Sequence, residues 1–284
     1  MENSRLLRTL YLELMKNVLT RYIAGAEYIP VRPNKILNRR VWWSLFPLAY
    51  PLMRKLFDIY RIDLCHHIPF DPVQREHGAD QPADAETMVG LKRLGNIQYC
   101  LDKVIREEVP GDFIETGVWR GGACIFARAV LAAYGDTSRR IWVADSFEGL
   151  PRPNVETYPE DAGSFLWKQP RLAITLDEVK QNFARYQLLD AQVRFLKGWF
   201  KDTLAEAPIE KIAVMRLDGD MYESTTDALK ALYPKLSVGG FCIIDDYGCI
   251  PACKQAVIDF RSAHNIMDEI TEIDWTGVYW RRSG

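Results

Sequence analysis

The chain has 284 residues, 48% of them hydrophobic and 26% charged, with a formal net charge of −2 and a pI near 6.1. These totals fit an ordinary globular chain with ample material for a core, in one large domain or two small ones. They supply no overall positive field, so a nucleic-acid partner would need a local basic patch and is not expected.

The first residues, "MENSRLLRTLYLELMKNVLTRYI", are amphipathic and contain acids, with no long apolar run before a small-residue cleavage site. No export signal is expected there, and a cytoplasmic location follows. Cys65, Cys100, Cys124, Cys242, Cys249 and Cys253 form no repeated C-x-x-C pairs. Free thiols in a reducing compartment fit this spacing better than a disulfide framework.

Residues 1–85 read as a helical extension, distinct from a main domain over 86–284. "LLRTLYLELMKNVL" has helical periodicity, "YIPVRPNK" breaks it, and "RRVWWSLFPLAYPLMRKLFDIY" is basic and aromatic, with expected interruptions at Pro47 and Pro51. That last stretch is too short and too proline-broken to span a bilayer, which needs about 20 apolar residues. Its plain reading is helices packed on the main domain or on a dimer partner. The alternative is a membrane-surface or substrate-capping role for residues 35–62, where Arg39, Arg40, Arg54 and Lys55 flank the aromatics.

Beyond residue 85, strand and helix patterns alternate. "DFIETG", "RIWVADSF", "VRFLKG", "KIAVMRLDGD" and "GFCIIDDYG" are short apolar runs ending in glycine or acid. Helical patterns separate them, in "GACIFARAVLAAYG", "LDEVKQNFARYQLL", "STTDALKALYPKL" and "CKQAVIDFRSAH". This order predicts a doubly wound α/β fold with a parallel sheet, and "EITEID" and "GVYWRR" predict a closing antiparallel hairpin.

Ligands in such sheets bind beyond the carboxyl ends of the strands. There the sequence places Glu115, Asp145, Asp218, Asp220, Asp245 and Asp246. One acid after a strand is commonly a helix cap; six from four strands on one rim are not explained that way. "ETGVWRGG" supplies Gly117, Gly121 and Gly122 for a tight turn close to a ligand, but it is not G-x-G-x-x-G and is a weak signal alone. Asp145, ending the next strand, suits two ribose hydroxyls, so the pair implies a nucleoside site. Asp218, Asp245 and Asp246 would repel one another without a hard divalent cation between them, and an all-oxygen set favours magnesium, calcium or manganese over zinc. Asp220 is then free to act as a general base.

Two enzyme classes combine a nucleoside with a metal. One is a methyltransferase using S-adenosylmethionine. The other is a glycosyltransferase in which Asp218-Gly219-Asp220 is the D-x-D of a nucleotide-sugar site, although Asp245 and Asp246 would then have no clear role. Nicotinamide-dependent oxidation lacks its glycine fingerprint, and a non-catalytic binding module leaves the acids unexplained.

"ETMVGLKRLGNIQYC", "VPGDFIETGVWRGGACIFARAVL", "WVADSFEGLP", "VRFLKGWFKDTL", "MRLDGDMYESTTDAL", "LYPKLSVGGFCIIDDYG" and "IDWTGVYWRR" together resemble the macrocin O-methyltransferase family, magnesium-dependent sugar O-methyltransferases of antibiotic pathways. The resemblance runs from about residue 85 to 282 and resumes faintly at "LYLELMKNVLTRYI". It implies the class I S-adenosylmethionine-dependent methyltransferase fold, a Rossmann-like, mostly parallel seven-stranded sheet flanked by helices.

The resemblance also implies roles for single positions. Met88 would line the cofactor pocket. Glu115 and Thr116, with the turn through Gly117 and Gly121, would hold the methionine part. Asp145 would take the ribose hydroxyls, Ser146 and Phe147 would lie beside the adenosine, and Gly198 and Trp199 near the adenine. Asp218, Asp245 and Asp246 would be the magnesium ligands and Asp220 the base. The stretch 35–65 looks like an insertion relative to shorter members and would shape the acceptor side; a homo-oligomer is expected.

Overall fold

The computed structural model describes residues 2–30 and 46–284. Arg39, Arg40 and the rest of the tryptophan-bearing stretch before Phe46 lie outside the described residues. The amino-terminal part holds α1 (Glu2–Leu19), β1 (Glu27–Pro30), α2 (Phe46–Tyr60), β2 (Cys65–Ile68) and α3 (Pro72–His77), with β1 and β2 paired antiparallel. Leu12, Met15 and Leu19 of α1 are buried in the main core, and the Arg8 guanidinium lies 3.9 Å above the Tyr134 ring.

The expected break at Pro51 is absent, because α2 runs through it. Pro51 leaves the Pro47 carbonyl without its intrahelical donor, and the helix continues past that one lost bond. Nor does α2 pack closely on the main body: Leu52, Leu56, Ile59 and Tyr60 are all more than half exposed.

The main body continues with α4 (Leu91–Arg106), β3 (Asp112–Thr116), α5 (Gly122–Tyr134), β4 (Ile141–Asp145), α6 (Leu176–Arg185), β5 (Val193–Lys197), the short α7 (Phe200–Thr203) and β6 (Ile212–Leu217). After it come α8 (Tyr222–Leu232), β7 (Leu236–Ile244), α9 (Pro251–Ala263), β8 (Thr271–Glu272) and β9 (Val278–Arg281). The sheet order is β5-β4-β3-β6-β7-β9-β8; β3 to β7 are parallel, and β9 is antiparallel to both its neighbours. The expected doubly wound architecture and the closing hairpin are both present.

Side chains on successive strand residues point to opposite faces, so continuous apolar runs feed two cores. Phe113, Val143, Val214 and Ile243 face α1, α4, α5 and α6. Ile114, Met215, Ile244 and Trp280 face α8 and α9. Strand order reverses between β3 and β6, which opens a crevice at their carboxyl ends. The register there pairs Glu115 with Arg216, and Thr116 with Leu217.

Candidate active site

Gly117 has φ 79°, and a Cβ on it would lie 1.8 Å from the Asp218 carbonyl oxygen. Only glycine lets the turn after β3 approach the end of β6 so closely. Gly121, at φ 84°, precedes the first residue of α5. The Gly198 N–H donates to the Asp145 carbonyl at 2.9 Å and ties the ends of β4 and β5 together. Trp199 follows it, and Trp199, Met88, Gly117, Asp145, Ser146 and Asp220 all line one cavity.

The Asp145 carboxylate accepts the Val118 N–H and the Phe147 N–H, each at 2.8 Å. Burial still pushes its pKa up, against those donors. Ser146 spends its hydroxyl on the Gly149 carbonyl at 2.7 Å, shaping the turn it stands in. Phe147, at φ 59° and 5% exposed, turns its ring into the core, 6.5 Å from that of Phe195. Thr116 is fully buried, and its hydroxyl has no hydrogen-bond partner among the described residues.

Glu115 lies deeper than a surface ligand-holder would. One of its oxygens accepts from Arg216 and the other from the Cys124 thiol at 2.8 Å. Burial, opposed by Arg216, raises the Glu115 carboxyl to about 7.

Beyond β6 and β7 the carboxylates of Asp218, Asp220 and Asp246 offer oxygens that all lie within 4.8 Å of one another. Burial and repulsion from Asp245 hold Asp218 at about 6; burial, then Asp218 and Asp245, push Asp220 up to about 8. Asp246 is pushed well above the ordinary range by burial, Asp220 and Asp218. Three converging carboxylates with raised pKa values must share protons or a cation, so the donor set fits a divalent ion bound through oxygen. Asp220 has φ 56°, a left-handed conformation that aspartate tolerates better than most residues.

Asp245 stands differently from its expected partners. Its oxygens accept from Arg216 and from Arg93, the latter at 2.6 Å. Burial alone would raise its pKa, but the two guanidiniums prevail and hold it below the ordinary value. As the side chains stand, Asp220 and not Asp245 is the third carboxylate near Asp218 and Asp246. A carboxylate has about four lone-pair positions, so pairing with two arginines does not exhaust Asp245.

Several residues at the site were absent from the sequence reading. Arg216 and Arg93 are 1% and 6% exposed. An arginine inside the apolar run "IAVMRL" was the available signal, since a buried guanidinium must have acidic partners. Asp161 carried no local signal: Met221, before α8, makes no side-chain cap, and Asp161 accepts the Tyr222 and Glu223 N–H groups at 2.7 and 3.1 Å from sixty residues away in sequence. The Trp119 indole donates to the Arg171 carbonyl at 2.8 Å and joins the two flanks of the cleft.

All six cysteines are free, and Cys100, Cys124, Cys242 and Cys253 are buried. No helix among the described residues is long and apolar enough to cross a membrane.

Residues 8–282 match the family profile described as Macrocin-O-methyltransferase (TylF). The chain is 56% identical over 212 residues to mycinamicin III 3''-O-methyltransferase of Micromonospora griseorubida, across 74% of this chain and 83% of that protein. It is 59% identical over 207 residues to 8-demethyl-8-(2,3-dimethoxy-alpha-L-rhamnosyl)-tetracenomycin-C 4'-O-methyltransferase of Streptomyces olivaceus, across 72% and 79%. Among solved structures it resembles the O-methyltransferase NovP with a TM-score of 0.82 at 43% identity, covering 98% of this chain and 100% of that one.

Proposed function

The chain belongs to the macrocin O-methyltransferase family, and on that footing we propose that it moves a methyl group from S-adenosylmethionine to a sugar hydroxyl in a glycosylated natural product. The observation that carries this reading is the meeting of the Gly117 turn and Asp145 with the carboxylates of Asp218, Asp220 and Asp246 at one strand-end crevice. The relatives named for O-methylating mycinamicin III and a rhamnosyl-bearing tetracenomycin C support the acceptor class. Membership of this family sets aside the nucleotide-sugar reading of Asp218-Gly219-Asp220.

In this proposal Asp145 holds the ribose of the cofactor, and Met88, Thr116 and the Gly117–Gly121 turn cradle its methionine end, with Glu115 behind them, bonded to Arg216 and Cys124. Ser146, Phe147, Gly198 and Trp199 shape the adenosine side. Bound S-adenosylmethionine supplies an electrophilic methyl on a sulfonium. Asp218, Asp245 and Asp246 would hold magnesium, which lowers the pKa of an alcohol bound beside it. Asp220 takes the proton from the acceptor hydroxyl, because an alcohol is a poor nucleophile at neutral pH while it keeps that proton. The rest of the site aligns acceptor oxygen and donor methyl.

A labelled-methyl assay over a panel of glycosides and deoxysugars tests the activity, with magnesium, with EDTA, and with Asp245→Asn. We expect incorporation into at least one glycoside, lost in EDTA and in the variant. Full turnover in EDTA would remove the metal from the proposal, and no incorporation into any sugar would remove the acceptor class.

Residues 1–85 are proposed as an acceptor cap or oligomer contact in a cytoplasmic enzyme. Leu6, Leu10 and Leu14 of α1, with Leu52, Leu56 and Ile59 of α2, leave two helical faces exposed. Burying such faces between copies is favourable at about 25 cal/mol per Å². Light scattering should then give a mass that is a multiple of 32.7 kDa, and a monomer at micromolar concentration would count against it.

A further inference from the structure

Arg216 is a cation fixed beneath a group of acids that we read as a cation site. It lies in β6, 1% exposed, between Glu115 on β3 and the acids that follow β6 and β7. One guanidinium nitrogen reaches both Glu115 and Asp218, the latter at 2.9 Å, and another reaches Asp245. Asp245 is gripped on its other oxygen by Arg93, whose Nε reaches Asp274 at 3.1 Å. On charge alone this is unfavourable for the site, since a guanidinium so close repels any divalent cation above it. Geometry gives the opposite sign. Without Arg216, the carboxylates of Glu115, Asp218 and Asp245, from adjacent strands, would repel one another and turn apart. The planar fork of arginine can meet several carboxylates in fixed directions, which the point charge of lysine cannot.

We propose that Arg216 is the positioning residue of the acid cluster: its guanidinium sets the placement of Asp218 against Asp245, and the affinity of the chain for a divalent cation depends on it. The inference rests on the ligand set proposed above and adds to it a residue outside that set. Losing a partner that orients metal ligands commonly costs about 10- to 100-fold in metal affinity.

The test is direct binding of Mn2+, followed by its paramagnetic resonance signal, with no turnover involved. Arg216→Lys keeps the charge and loses the fork, while Arg216→Gln loses both. If charge were the only effect, the lysine variant would bind like the parent and the glutamine variant more tightly. Positioning predicts that both bind at least about 10-fold more weakly. Parent-like or tighter binding by either variant overturns the proposal, whereas a parent chain that binds no Mn2+ overturns the ligand set itself.

Should neither variant fold, the paired change Glu115→Met with Arg216→Met keeps the interior filled and the local net charge unaltered, a kind of replacement that buried ion pairs often tolerate. Weaker Mn2+ binding by this pair supports positioning, and unchanged binding overturns it.

Discussion

Asp220→Asn is expected to lower turnover by about 10²-fold or more, the usual size of a general-base contribution. The substitution keeps the shape of the side chain, and asparagine accepts the left-handed backbone at this position as readily as aspartate. What is lost is the negative charge and the ability to take a proton. Because the Asp220 carboxylate also faces Asp218 and Asp246, Mn2+ affinity must be measured on the same variant. Retained cation binding with lost turnover assigns the base; loss of both assigns a ligand.

The pH profile gives a second reading of the same residue. Burial, with repulsion from Asp218 and Asp245, holds the Asp220 carboxyl at about 8 in the ligand-free chain, against an ordinary 3.8. A base must be unprotonated, so kcat should rise with pH along its acid limb. A cation among the carboxylates favours their charged forms, and higher magnesium should move that limb toward lower pH. Asp220→Asn should abolish the limb. The same shift has a stability consequence with a definite sign. Between the ordinary value and about 8 the folded ligand-free chain binds more protons than the unfolded chain, so its stability falls as pH rises through that range.

Gly117→Ala is expected to be the most damaging single methyl group in the crevice. Its Cβ would fall 1.8 Å from the Asp218 carbonyl oxygen, a backbone atom that cannot swing aside, and φ 79° is strained for any residue with a Cβ. Left-handed strain and overpacking each cost about 1–3 kcal/mol, so a loss of about 3 kcal/mol or more is expected. In a domain of this size that lowers Tm by about 6 °C or more. Calorimetry checks it, alongside affinity for S-adenosylhomocysteine, which should fall because β3 and β6 must part where the cofactor is expected. An unchanged Tm would mean that the two strand ends can separate at little cost.

Most of the architecture was legible because a parallel sheet buries both faces of its strands. Runs such as "KIAVM" therefore have no alternation to hide them, and acids mark where each run leaves the core. For the same reason the six rim acids could be listed in advance and their meeting at one crevice expected. The arrangement among them was not legible. Asp245 is drawn to Arg93, a residue of α4 separated from it by 152 positions, as well as to Arg216 in β6. The cap that Asp161 supplies to α8 likewise depends on a loop returning across the cleft, and no local pattern encodes that. Proline misled in the other direction: α2 bridges the one bond missing at Pro51, whereas the sequence pattern reads each proline as a break.

The placing of β9 between β7 and β8 bears on how the chain matures during synthesis. A nascent chain that has left the ribosome only to about residue 275 has made β7 and β8, but not the strand that joins them. The long edge of β7, running into "FCII", then has unpaired N–H and C=O groups, and the space that Trp280 fills is still open. Such an edge invites pairing with another chain. The interval of hazard for self-association therefore lasts until β9 is made, and four residues, Val278–Arg281, end it.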